Sequence, residues 1–138
     1  MNRSELQEIS RIRLREAASL LKLRHYAGAY YLAGYSVECA LKACIAKQTK
    51  KFDFPNKDLA SKVWIHDLEK LVKLAGLWPH LERGMKENKS LEINWAVVKD
   101  WKESVRYEVT ISDIQSKDFY SACTARKNGI LPWIKKRW

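Results

Sequence analysis

Glycine and proline are scarce here, with five and three copies in 138 residues. So few breakers leave no room for a flexible linker, and there is no internal repeat or low-complexity run. One domain over residues 1–138 is expected. Cysteine is scarce too. Cys39, Cys44 and Cys123 are odd in number. Cys39 and Cys44 lie five residues apart, on different sides of one expected helix, so they build no disulfide framework. The absence of a CxxC pair argues against zinc, and no metal is expected. The three read as buried thiols of a reducing compartment. No apolar run reaches the roughly 20 residues that span a bilayer. The polar opening MNRSELQEIS lacks the apolar centre of a secretory signal. A cytoplasmic chain with no membrane contact is therefore expected. Phosphate-binding glycine loops are missing as well, and His25, His66 and His80 have no metalloprotease spacing, so no cofactor is expected.

What is abundant is positive charge. There are 26 Lys and Arg against 16 Asp and Glu, a formal balance of +10. Such an excess favours acidic partners, nucleic acid first among them, although solubility alone also accounts for it.

Periodicity is helical throughout. Residues 4–23 show an apolar stripe, with Ser4 and Gln7 in capping-box positions. Residues 25–47 repeat Tyr26, Tyr30, Ala33, Val37, Ala40 and Cys44 at steps of four and three, a packing seam. Small residues keep this helix slim. Gly34 there costs about 1 kcal/mol relative to alanine, which a close approach by another backbone would offset. Its other face carries Tyr31, Tyr35, Glu38 and Lys42, either plain bundle surface or a partner's contact. Residues 48–62 read as a loop containing Phe52, Phe54 and four lysines. That loop should pack at one end of the bundle with its tip toward an anion. Further helices are expected over 64–77, closed by Gly76, as a short turn over 79–88, and over 92–108. The last has Trp95, Val98, Trp101 and Val105 on one side. A final helix over 113–137 is capped by Ser112 and interrupted near Asn128, Gly129 and Pro132. His66, at a helix start, reads as a capping or packing residue. The fold class is all-α, an antiparallel up-and-down bundle of four to five helices.

Four stretches, GAYYLAGYSVECALKACI, HDLEKLVKLAGL, VRYEV and PWIKK, occur in that order and together resemble the HEPN domain family over nearly the whole chain. The family's acid with a lysine four residues later matches Glu38 and Lys42. Its HDL helix start matches His66, Asp67 and Leu68, and its RY pair matches Arg106 and Tyr107. The resemblance implies a bundle that dimerises and associates with RNA or nucleotide. It also implies either a metal-independent ribonuclease or the partner of a nucleotidyltransferase in toxin–antitoxin or defence systems. Nuclease members place a histidine four to six residues after the arginine. Arg106 is followed by YEVTISD, without one. The resemblance thus implies a non-catalytic module that acts as a dimer or with a nucleotidyltransferase partner, with Arg106, Tyr107, Glu38, Lys42 and Tyr35 as nucleic-acid or nucleotide contacts. Two alternatives stand beside it. One is a ribonuclease with a divergent site, using Arg106 with Tyr107 or Glu108. The other is a protein–protein interaction module working through the tyrosine-rich face. A direct Glu38–Arg106 contact is expected.

Overall fold

The computed structural model describes residues 1–48 and 64–138. The lysine- and phenylalanine-bearing loop expected at 48–62 lies, apart from Gln48, outside the described residues. Among those residues the protein is all-helical: α1 Arg3–Lys22, α2 Tyr26–Gln48, α3 Leu68–Leu74, α4 Trp78–Glu87, α5 Lys89–Val98, a 3₁₀ turn Glu103–Tyr107, α6 Asp113–Thr124 and α7 Ile130–Lys135. No helix among them is long and apolar enough to cross a membrane.

The helices are shorter and more numerous than the periodicity suggests. α1 is capped by Asn2 rather than Ser4: the Asn2 side chain accepts from the Glu5 N–H, and Glu5 reaches back to the Asn2 N–H at 2.9 Å. The expected 64–77 helix starts only at Leu68, because the Asp67 side chain caps it by accepting from Lys70 N. Gly76, at φ 71°, closes it, with Gly76 N on Lys73 O and Leu77 N on Val72 O. The expected 92–108 helix stops at Val98 and resumes as a 3₁₀ turn. Trp95, Val98, Trp101 and Val105 are nonetheless all buried. Both helix types stack residues three apart, so apolar spacing cannot separate them. The last helix breaks between Thr124 and Ile130, where Asn128 adopts a left-handed φ of 61°.

α2 is the central element. Residues Ser36 to Leu41 are buried without interruption. Six successive buried residues point all around a 3.6-residue spiral, so α2 is enclosed on every side. Its seam residues Tyr30, Ala33, Val37, Ala40 and Cys44 are buried, as the sequence pattern predicts. α1 lies along one side, and α3, the 3₁₀ turn, α6 and α7 cover the rest. The turn between α1 and α2 places Arg24 in the left-handed region, with His25 N bonded to Leu20 O and Arg24 N to Leu21 O. This closes α1 in the double-bonded C-terminal pattern usually given to glycine.

Small residues on α2 serve two different neighbours. Ser36 meets Ser10 of α1: Ser10 Oγ donates to Ser36 O at 2.8 Å and Ser36 Oγ donates to Ser10 O at 2.7 Å. That reciprocal pair draws two backbones together and leaves neither hydroxyl unpaired. Gly34 is approached by a side chain rather than by the expected backbone. A Cβ there would fall inside the Trp101 indole. The same indole stacks on Tyr31 with centroids 6.1 Å apart.

Gly34→Ala should therefore destabilise the fold by about 1–3 kcal/mol, the usual range for overpacking, as read by denaturant unfolding. Trp101→Leu in the same chain should make the double variant less destabilised than the sum of the single changes. Strict additivity would mean that the indole is not the obstacle.

Candidate functional site

Glu38 projects from the middle of α2 and is fully buried. An ionised carboxylate there needs partners, because losing hydration in a protein interior is expensive. Two groups reach the same oxygen. Lys42, one turn along the helix, donates from Nζ to Oε1 at 2.7 Å, and His66 Nδ1 lies 2.7 Å from that atom. Oε2 has no hydrogen-bond partner among the described residues. The Glu38–Lys42 pairing is the one the spacing predicts, but it is enclosed rather than exposed: Lys42 keeps only 12% of its side-chain surface.

His66 is placed by its neighbours. Leu68 is fully buried and Asp67 caps α3, so the residue before the cap is held over α2. The expectation of a capping role for His66 is corrected: Asp67 is the cap, and His66 is the ligand of a buried acid. The carboxylate can only accept, so Nδ1 carries the hydrogen. The other ring nitrogen, Nε2, faces Glu103 Oε2 at 3.3 Å. A neutral imidazole donates to one of these acids; an imidazolium donates to both.

The series continues to the surface. In the 3₁₀ turn, residues three apart share a side. Arg106 NH1 thus donates to Glu103 Oε1 at 2.5 Å, and Arg106 NH2 donates to the Tyr107 hydroxyl at 2.9 Å. The guanidinium also lies over the Tyr107 ring, 4.8 Å from its centroid. The Tyr107 hydrogen bond, with the Glu103 charge, pushes the Arg106 pKa further up. The result is a chain of contacts from a buried cation to an exposed one: Lys42, Glu38, His66, Glu103, Arg106. The expected direct Glu38–Arg106 contact is replaced by an indirect one, with His66 and Glu103 between them.

Of the residues singled out from sequence, Glu38, Lys42, Arg106 and Tyr107 belong to this chain. Tyr35 stands beside it, stacked on Tyr31 at 6.1 Å. Burial raises the Tyr35 pKa, and the neighbouring Cys39 and Glu38 act in the same direction. Glu108 is exposed and follows the turn, outside the chain of contacts. Glu103 escapes a sequence reading because it resembles any surface acid. Its spacing of three from Arg106 was the available signal. None of the thiols is an activated nucleophile. All three are buried, and burial pushes Cys39 and Cys44 up to about 11 and Cys123 higher still. Thiols held protonated near neutral pH are poor nucleophiles. Among the described residues no cluster of His, Cys, Asp and Glu has the arrangement to hold a metal ion.

No family model, curated protein or solved structure matches the chain.

Lys42→Met should cost about 3 kcal/mol of stability, because it strips a buried carboxylate of its cation. Glu38→Leu added to Lys42→Met should return part of that loss, since an apolar pair of similar volume needs no charge compensation. Thermal or urea unfolding of the two variants decides it. A double variant no more stable than Lys42→Met alone would mean the charge was never the difficulty.

Proposed function

We propose that the chain is a HEPN-like, RNA- or nucleotide-associated helical module, whose phosphate contact is the Arg106–Tyr107 corner. The observation that carries this reading is the placement of Arg106. Its guanidinium is aimed by Glu103, rests on an exposed tyrosine ring and ends a polar chain rooted in the bundle centre. A planar guanidinium held beside an aromatic face suits a nucleotide, with the fork on phosphate and the ring beneath a base. Glu103 already occupies the fork, so an incoming phosphate competes with that carboxylate. The +10 balance of the chain favours the exchange. Tyr107, Val109 and Ile114, within eight residues of Arg106 in sequence, are exposed apolar side chains. They are the surface we assign to a second copy or to a nucleotidyltransferase partner in a toxin–antitoxin or defence setting.

A second reading is a metal-independent endoribonuclease, and one distance favours it. His66 Nδ1 sits 2.7 Å from a buried carboxylate, the arrangement that orients a histidine for proton transfer. His66 would fill the role left open by the missing histidine after Arg106. Its Nε2 takes the proton from a ribose 2′-hydroxyl. The 2′-oxygen attacks the adjacent phosphorus, and the bond to the 5′-oxygen breaks. The departing 5′-oxygen takes a proton from solvent water and the His66 imidazolium returns its own to solvent, giving a 2′,3′-cyclic phosphate and a 5′-hydroxyl. Arg106 stabilises the charge that builds on phosphorus.

Binding of single-stranded RNA should weaken steeply as salt rises. Arg106→Ala should weaken it further and lower the slope of log affinity against log salt by about 1. RNA binding absent at low salt would end the first reading. For the second, the assay is RNA cleavage in EDTA. Cleavage by the wild type that is lost in both Arg106→Ala and His66→Gln would establish it, and intact RNA with the wild type would remove it.

A further inference from the structure

A second basic concavity lies on α4 and α7, away from the Arg106 corner. Its volume is about 330 Å³, and its lining includes His80, Arg83, Trp133, Lys136 and Arg137, with Glu87 the one carboxylate. That volume is at the small end of the range for ligand sites, so it suits a compact molecule better than a polymer. Among the described residues, Arg83, Lys136 and Arg137 form no ion pair with an acid. Lysine and arginine at the end of a short helix are favourable through its dipole alone. The dipole of α7 does not explain Arg83 and His80, which arrive from α4.

The groove is held rigid. Arg137 is half-buried, and its guanidinium lies 3.9 Å from the centroid of the Trp133 ring while NH1 donates to Trp133 O at 2.8 Å. Burial lowers its pKa. A guanidinium that has lost part of its hydration and found no carboxylate binds an anion with less further loss of water. α7 is fixed by the turn before it. Asn128 donates from Nδ2 to Ser90 Oγ at 2.6 Å, and its carbonyl accepts from Asn94 Nδ2 at 2.8 Å. Gly129 follows, where a Cβ would collide with the Ala125 backbone. Gly84 of α4 also lines the groove. A Cβ there would come within 2.8 Å of Leu91 Cδ2 and 3.7 Å of the Trp133 indole nitrogen. Alanine there would crowd Leu91 of α5, while its distance to the indole nitrogen is an ordinary contact.

We propose that this groove binds a small phosphate-bearing anion. Phosphate rather than carboxylate follows from the donor set. Two guanidinium forks and an ammonium offer more charged N–H groups than one carboxylate can accept, and a phosphate offers three oxygens to them. The Trp133 side chain lines the same space.

The test titrates inorganic pyrophosphate, and citrate as a polycarboxylate comparison, into the full chain at low salt. NMR reads the six indole N–H signals, with Trp133→Phe assigning the relevant one. A saturable shift of the Trp133 signal is expected. Arg83→Glu and Lys136→Glu, both at exposed positions, should each weaken pyrophosphate at least about tenfold. Arg106→Ala should leave that affinity unchanged, so this site and the Arg106 corner stand or fall separately. The proposal is overturned by an unmoved Trp133 signal, by affinity that survives Arg83→Glu, or by citrate binding more tightly than pyrophosphate.

Discussion

A carboxylate in the middle of the central helix constrains much of this structure. Glu38 is fully buried on α2. An ionised acid in that position is tolerated only if cations and hydrogen bonds replace its water. Lys42 can supply one contact from the same helix. The second must come from elsewhere, and it comes from His66, the residue just before the Asp67 cap of α3. Holding His66 in place fixes where α3 begins over α2. The opposite ring nitrogen then meets Glu103, and Glu103 sets the direction of Arg106. An interior requirement is thus transmitted, one polar group at a time, to an exposed guanidinium.

The small residues of α2 make this geometry possible. Ser36 lets α1 approach until the two serines exchange hydrogen bonds through each other's carbonyls. Gly34 lets the Trp101 ring lie against the helix one turn before Glu38. Trp101 directly precedes the segment leading into the 3₁₀ turn, so its seat sets the distance from which Glu103 and Arg106 reach His66. Packing and electrostatics are coupled here. A side chain at position 34 would displace the indole, and with it the turn that carries the exposed end of the polar chain. Trp101 pays one cost for that seat, since its Nε1 is buried without a hydrogen-bond partner among the described residues.

The all-helical class and most core positions were legible from apolar spacing, because burial on a helix repeats in three- and four-residue steps whatever the helix length. Helix ends were less legible. Asn2 outcompetes Ser4 as a cap because either side chain can accept the first free N–H groups, and the sequence holds an acid three residues after Asn2 as well as a glutamine three after Ser4. The 92–108 segment reads as one helix in sequence because α and 3₁₀ turns both align residues three apart. In the site, Glu38 with Lys42 and Arg106 with Tyr107 could be found as local pairs. The link between them could not. His66 and Glu103 are 37 residues apart in sequence, and their meeting depends on tertiary packing that no spacing rule encodes.

Charge distribution adds a last step. The polar chain through α2 alternates sign, so it neutralises most of its own charge and leaves little excess cation at its buried end. The +10 balance must therefore sit elsewhere on the surface. Part of it gathers where α4 faces α7, as three cations around a single carboxylate. The Arg106 corner and this groove differ in kind. At the corner, a guanidinium is held by Glu103, so the anion binding proposed there is an exchange with that carboxylate. In the groove the cations have no described acid to release, so an anion gains their attraction without breaking an ion pair. Of the two proposed sites, the one tied to the bundle centre must release a carboxylate to take an anion, whereas the groove between α4 and α7 has no described ion pair to break.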